Sequence, residues 1–236
     1  MIGVLAVGAV LPEGLRRLPG LAELPDDRAA VVDGPDLGPW LKRRKDARLL
    51  ARAAQLALPA AGVALQRFAG DPESLGLYVA IGREPPDEGE AEPSLAAMER
   101  DGRLDVERLA AGLALYPPLL PLRTLPNMVL AHVAIQHGIR GENGTFAGGR
   151  EAGEQALAAG MRAVAEGRCA LALVGAAFSA VDLASARDRW RMGPDPRPPG
   201  EGAIFALIGE GGRRPEGAWR WEWDGGPVEG LAAVYP

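Results

Sequence analysis

The stretch from Leu125 to Gly175 constrains the fold of this chain more than any other. It holds Pro126-Asn127-Met128, a helical run to His137, the extended segment Asn143–Ala147 and the corner Gly148-Gly149-Arg150. A second helical pattern, Glu151–Glu166, and the apolar segment Ala170–Ala176 follow. An extended run that enters a glycine corner and leaves as a helix presents one side chain at a helix N-terminus. Backbone N–H groups there favour developing negative charge. The residue so placed is Arg150. A corner suited to a reactive group holds a permanent cation instead.

The rest of the chain alternates extended and helical patterns. Residues 2–8 are an apolar run that predicts a buried first strand, and residues 13–35 read as a Pro-, Gly- and Asp-rich loop. Apolar residues recur at helical spacing between Asp36 and Leu58, which predicts a helix closed by Pro59 and Gly62. Leu75–Gly82 predicts a second strand, 83–93 a mobile loop, and Leu104–Leu115 a helix stopped by Pro117, Pro118 and Pro121. Asn127–His137 is a shorter apolar helix, and Ala203–Gly209 a fifth strand after those at 143–147 and 170–176. Trp219, Trp221 and Trp223 alternate, so they share one face of an extended tail. Strands alternating with helices predict a three-layer α/β domain. Within 151–166, Glu151, Glu154, Gln155, Arg162 and Glu166 form a polar stripe opposite Gly153, Ala156, Leu157, Gly160, Met161 and Val164. One face should pack on a sheet while the other meets water.

Charge and composition narrow the function classes. A net charge of −5, with no basic cluster or aromatic-interleaved basic stripe read from the sequence, argues against nucleic acid. Arg44, Arg48 and Arg52 lie at helical spacing and read as a solvated helix face. The single cysteine, Cys169, reads as a small buried hydrophobe at the start of a strand and suggests a reducing compartment. The apolar N-terminus is too short to span a bilayer and has no basic lead, so a cytoplasmic location with no membrane span is expected. No spacing suits a metal, a dinucleotide or a phosphate loop, so neither metal nor cofactor is expected.

The order of these segments resembles the β-ketoacyl synthases: strand, long helix, Gly-Leu-Tyr-Val-Ala-Ile-Gly strand, Pro-Asn-Met helix, Gly-x-Asn strand, glycine corner, helix, Leu-Val-Gly strand. The closing Gly200-Glu201-Gly202-Ala203 adds to the match. The resemblance covers nearly the whole chain, residues 1–236 as a single domain, but only the N-terminal half of that family's thiolase-like fold. It implies an α/β half-fold with a five-stranded mixed sheet of order 3-2-1-4-5 flanked by helices. In active members the nucleophilic cysteine lies seven residues after the asparagine and three before a glycine. Counting from Asn143 and back from Gly153 reaches Arg150 both ways, so the nucleophile position is degenerate. A thiolate attacks the acyl thioester there, and arginine cannot replace it.

The family's two catalytic histidines belong to its C-terminal half; His132 and His137, on the Pro-Asn-Met helix, read as packing or capping residues. No catalytic residue is expected. The resemblance narrows to chain length factor subunits, similar to those of aryl polyene and related type II synthases. It implies a non-catalytic partner of an active β-ketoacyl synthase in type II polyketide or fatty acid biosynthesis, with the acyl chain on acyl carrier protein. Gly144, Thr145, Phe146 and Ala147, on an edge strand that pairs across the family's dimer, are the expected subunit contact. Arg150 either pairs locally with Glu151 or Glu154, or crosses to a partner carboxylate or carrier phosphate. Three alternatives stay open: a stand-alone domain binding acyl carrier protein or an acyl ligand, a divergent acyltransferase or hydrolase, and a homodimer of the isolated chain.

Overall fold

The computed structural model describes residues 2–22, 24, 26–82, 88–183, 185–187 and 199–212, with only the backbone of Glu88, Leu122 and Arg150. The Trp219–Trp223 tail lies outside the described residues. In chain order the strands are β1 (Ile2–Val10), β2 (Leu15–Arg17), β3 (Arg28–Ala30), β4 (Gly76–Ile81), β5 (Glu99–Arg100), β6 (Arg103–Leu104), β7 (Asn143–Ala147), β8 (Leu171–Ser179) and β9 (Glu201–Glu210). The helices are α1 (Arg52–Leu65), α2 (Glu88–Met98), α3 (Leu109–Leu115), α4 (Leu120–Arg123), α5 (Met128–His137) and α6 (Arg150–Ala165). The chain divides into two compact units, Met1–Glu84 with Pro126–Pro236, and Pro85–Leu125.

The first unit is built on a mixed five-stranded sheet of order β1-β9-β8-β4-β7. β4 pairs parallel with β7 and β8, whereas β9 is antiparallel to both β8 and β1. The α/β architecture is the expected one, but the strand order differs in detail. Counted as five strands it is 3-2-4-5-1, so the first strand lies at an edge rather than at the centre. The physical reason is the patterning of β9. Nine of its ten residues are buried, which requires neighbours on both sides. β1 instead shows an interrupted pattern, with a bulge at Leu5 and an exposed Leu5 side chain. A bulged strand tolerates an edge.

Period-two alternation in β4 feeds two cores. Leu77, Val79 and Ile81 point to one face, where α1 and α5 pack with Leu173, Phe205 and Leu207. Tyr78 and Ala80 point to the other, where α6 packs with Val174, Ile204 and Ile208. The amphipathic reading of α6 holds: Gly153, Ala156, Leu157, Gly160 and Val164 are buried, Met161 is half-buried, and the polar stripe is exposed. A Cβ on Gly160 would overlap the Val174 side chain, so glycine there sets how closely helix and sheet approach.

Three local expectations are corrected. The helix expected within Asp36–Leu58 is two 3-10 turns, Gly38–Trp40 and Arg44–Leu49, followed by α1, which runs through Pro59 and Gly62 to Leu65. A proline inside a helix costs about 3 kcal/mol. Ten of the fourteen residues of α1 are buried, Pro59 among them, and that burial outweighs the lost hydrogen bond. Gly62 is needed because the Trp40 ring lies where its Cβ would be. The 13–35 loop contains the β2–β3 pair, whose Ala29 packs with Leu21 and Ala186. The mobile loop expected at 83–93 instead gives, from residue 88, the start of α2, with Pro93 inside the helix and Ala91, Ser94 and Met98 buried. Residues 83–87 lie outside the description.

Within the second unit, β5 and β6 form a hairpin over Asp101-Gly102, both at positive φ. Such angles are those of a type I′ turn. α2 and α3 meet at Gly112, where a Cβ would overlap Met98, and Ser94 Oγ donates to the Gly112 carbonyl at 2.7 Å. Arg123 and Glu90 form an ion pair.

One polar network lies inside the first unit. Arg52 donates to both carboxylate oxygens of Glu201, Nε to Oε2 at 2.9 Å and Nη2 to Oε1 at 2.6 Å. Ser179 Oγ and the Val32 N–H also donate to Glu201, each at 3.0 Å, and Arg52 donates to the Val32 carbonyl at 2.7 Å. Arg52 therefore does not belong to a solvated face with Arg44 and Arg48. The Glu201 side chain is fully buried and Arg52 is 29% exposed. Breaking a buried pair from one side costs about 3–5 kcal/mol. Arg52→Met, which leaves the buried carboxylate uncompensated, should lower unfolding free energy in urea by that order; a loss under 1 kcal/mol would contradict this role.

Candidate functional site

The corner singled out in the sequence is present. β7 ends at Ala147, the Gly148 N–H donates to the Ile81 carbonyl at 3.1 Å, and α6 begins at Arg150 with Gly149 as its N-cap. Gly148 has φ +153°, a conformation that favours glycine. Gly149 has no side chain to accept from the first-turn N–H groups, so the positive end of α6 is left for other acceptors. The corner lies at the C-terminal ends of the parallel strands, the end where open α/β sheets bind ligands. β7 forms the sheet edge, pairing only with β4 among the described strands. Gly144, Thr145 and Phe146 are half-buried along it, and Asn143 and Ala147 are exposed.

The histidines are elsewhere. His132 and His137 belong to α5, on the sheet face opposite α6. His137 Nε2 lies 3.4 Å from the Leu58 carbonyl, and its ring is tilted against Trp40 at 6.3 Å. His132 is buried, and among the described residues its Nε2 has no hydrogen-bond partner. Burial pushes both imidazoles below their ordinary value of 6.5; a backbone carbonyl partially opposes this in each, with Asp46 also opposing it at His132. Both are thus packed side chains, and the fold does not bring them to Arg150.

Two features of this face were missed in the sequence. Asp46 is buried, accepts from Arg43 and from Gln136 Nε2 at 3.2 Å, and is held below the usual carboxylate range first by Arg43 and then by Gln136. Gln136 also accepts from the Lys42 N–H at 2.7 Å, which ties α5 to the segment before α1. That segment exposes Lys42, Arg43, Arg44, Lys45 and Arg48, a basic run in an acidic chain. The run itself was visible in the sequence; its exposure follows from the 3-10 turns that replace the expected helix. Beside it lies a cleft of about 380 Å³ lined by Trp40, Lys42, Leu65, Gln66 and His137. Cys169 is buried as expected, and burial pushes its thiol up. Among the described residues no group of three or more histidine, cysteine or acidic side chains could hold a metal.

Residues 42–194 match the family model for the β-ketoacyl synthase N-terminal domain. The chain belongs to the β-ketoacyl synthase family. Comparison with curated protein sequences finds no match. Among solved structures, the chain is similar to a type II PKS ketosynthase in complex with its acyl-carrier protein and bound to the hexaketide, at 16% identity and TM-score 0.67, covering 89% of this chain and 62% of that one. It is similar to the ishigamide ketosynthase/chain length factor at 25% identity and TM-score 0.62, covering 91% and 64%. A β-ketoacyl synthase from Burkholderia phymatum STM815 aligns at 19% identity and TM-score 0.61, covering 89% and 59%. The chain therefore spans about three-fifths of the length of these structures and carries a thiolase-like half-fold.

Two outcomes are expected. Histidines held neutral by burial contribute stability that is complete above pH 6.5, the unfolded value, and is lost as pH falls below it. Melting temperature should therefore decline between pH 6.5 and the carboxylate range, and His132→Gln should flatten that decline; an unchanged profile would contradict the assignment. In the variant Arg150→Cys, the new thiol sits at a helix N-terminus, which lowers its pKa. It should be alkylated by iodoacetamide at pH 7 faster than free cysteine, with Cys169 slow.

Proposed function

We propose that this chain is a non-catalytic, chain length factor-type subunit that pairs with an active β-ketoacyl synthase in type II polyketide or fatty acid biosynthesis. The observation that carries this reading is Arg150. Arg150 is the first residue of the helix that follows the glycine corner, the position that the resemblance to active ketosynthases assigns to their nucleophilic cysteine. Guanidinium stays protonated and cannot attack a thioester. The protein's contribution is then to a partner's site rather than to bond making. The edge of β7, Gly144 to Ala147, which pairs only with β4 among the described strands, is uncharged and free of proline and bulges, so it suits backbone pairing with that partner.

A second reading has an observation of its own. The exposed basic run Lys42–Arg48, next to the Trp40–His137 cleft, suits the acidic surface of a carrier protein. Carrier binding by the chain alone would make it a stand-alone acyl-carrier or acyl-ligand domain; carrier binding by the heterodimer fits the first reading. Among the described residues no helix is long and apolar enough to cross a membrane, and we place the protein in the cytoplasm with the biosynthetic partner.

Co-expression with the ketosynthase encoded nearest to its gene should yield a one-to-one complex by solution mass. Thr145→Pro, which removes a backbone donor from β7, should weaken that complex while the chain stays folded. A monomer that ignores the ketosynthase but binds carrier protein would move the second reading to the front.

A further inference from the structure

We infer that the Trp40–His137 cleft of the first unit binds a small planar organic anion, an aromatic or heteroaromatic carboxylate of one or two rings. The inference concerns the chain by itself and goes beyond both readings above. The cleft forms where three segments meet: the 3-10 turn ending at Trp40 with the following Leu41 and Lys42, the end of α1 with Leu65 and Gln66, and His137, the last residue of α5. Its volume of about 380 Å³ lies at the lower end of the range of ligand pockets, which suits a molecule of one or two rings. Trp40 supplies an aromatic surface. It is half-buried; its ring occupies the place that a Gly62 Cβ would take, and it is tilted at 57° to the His137 ring at 6.3 Å. A ring held by its neighbours before a ligand arrives loses little freedom on binding. Leu41 and Leu65, also half-buried, add apolar wall.

Charge selects the class of ligand. Within residues 36–50 the acidic side chains are Asp36 and Asp46. Asp46 is buried and paired with Arg43 at 2.9 Å, and Asp36 accepts from the Gly38 N–H at 3.0 Å. Among the described residues the Lys42 ammonium therefore has no ion-pair partner, and the exposed Arg44, Lys45 and Arg48 add positive field to the same segment. Burial first, and then the neighbouring Lys42 charge, push the His137 imidazole below its ordinary value, so the cation at the cleft is Lys42. Gln136 is already engaged at both ends of its amide, with the Lys42 N–H and with Asp46. The exposed Gln66 amide is left to donate to a ligand oxygen. An aliphatic anion would leave the Trp40 surface unused, and a neutral ring would leave Lys42 unused. A planar ring carrying a carboxylate uses both.

The test titrates the full chain with 2-naphthoate by calorimetry and by the indole N–H signals in NMR, the Trp40 signal being identified from Trp40→Phe. Naphthalene-2-methanol and octanoate are the neutral and aliphatic controls. The naphthoate should saturate below about 1 mM and shift the Trp40 signal, and each control should bind about tenfold more weakly. Lys42→Ala should weaken naphthoate binding by about tenfold and leave the alcohol unchanged, and Trp40→Ala should weaken both. Lys45→Ala, exposed on the same segment but outside the cleft, should bind naphthoate within about threefold of the wild type. Melting temperatures report folding; Lys42→Ala, whose side chain is exposed, decides the matter if Trp40→Ala does not fold. Failure to saturate, equal binding of the alcohol or of octanoate, or naphthoate binding unchanged in Lys42→Ala would each overturn the proposal. Carrier protein bound by a chain that ignores the naphthoate would overturn it too, while leaving the carrier reading intact.

Discussion

A single buried carboxylate, Glu201, ties together segments that are far apart in the chain. It accepts from Arg52 at the start of α1, from Ser179 at the end of β8 and from the Val32 backbone, while it lies itself at the start of β9. A charge with no exposed surface persists only if its lone pairs are met by donors. Four donor contacts do so here, and a fifth hydrogen bond joins Arg52 to the Val32 carbonyl. The geometry leaves little freedom in where α1 meets the end of the sheet. The network sets position; the apolar cores on the two faces supply most of the burial energy, at about 25 cal/mol per Å² removed from water.

The two helical layers solve the packing problem differently. α1 is buried on most sides, which lets it carry Pro59 and accept the Trp40 ring at Gly62. α6 buries only one stripe, through small residues, and gives its other face to water through Glu151, Glu154, Gln155, Arg162 and Glu166. Those polar and charged groups would each need a partner if a second apolar layer covered them. The outer face of α6 is therefore suited to solvent.

What was legible in the sequence was whatever has a local signature. β4, β7 and α6 were placed to within one or two residues because period two, period 3.6 and the glycine corner are written in adjacent positions. Pro59 and Pro93 misled because a proline reads as a stop unless the surrounding burial is known, and burial is a property of the folded chain. The same limit hid Arg52. Its partner Glu201 is 149 positions away, so a spacing argument grouped it with Arg44 and Arg48 instead. Strand order failed at one place for a related reason. Every strand expected within the described residues exists, but only the continuous burial of β9 says that it must lie between β1 and β8. At the corner, the strand end and the helix start were legible from the local pattern, whereas the separation of both histidines from it depends on which sheet face carries α5.

A cation at the head of α6 has an electrostatic cost for the helix. A helix N-terminus carries about half a positive charge, and a basic residue in the first turn is disfavoured by about 0.3–1 kcal/mol, where an anion would be favoured by the same order. Glu151, in that first turn, offsets the effect for the helix as a whole. It does nothing to make a nucleophile. A corner that needs φ +153° at Gly148 and an uncapped glycine at 149 costs conformational freedom that an ordinary strand-to-helix turn would not require. The corner thus carries, at the start of α6, a residue that the helix's own electrostatics oppose. Such a combination is stable because β7 and α6 are fixed by pairing with β4 and by burial against Tyr78, Val174 and Ile208, not by the chemistry at position 150. The shape of this frame therefore does not depend on which side chain stands at position 150.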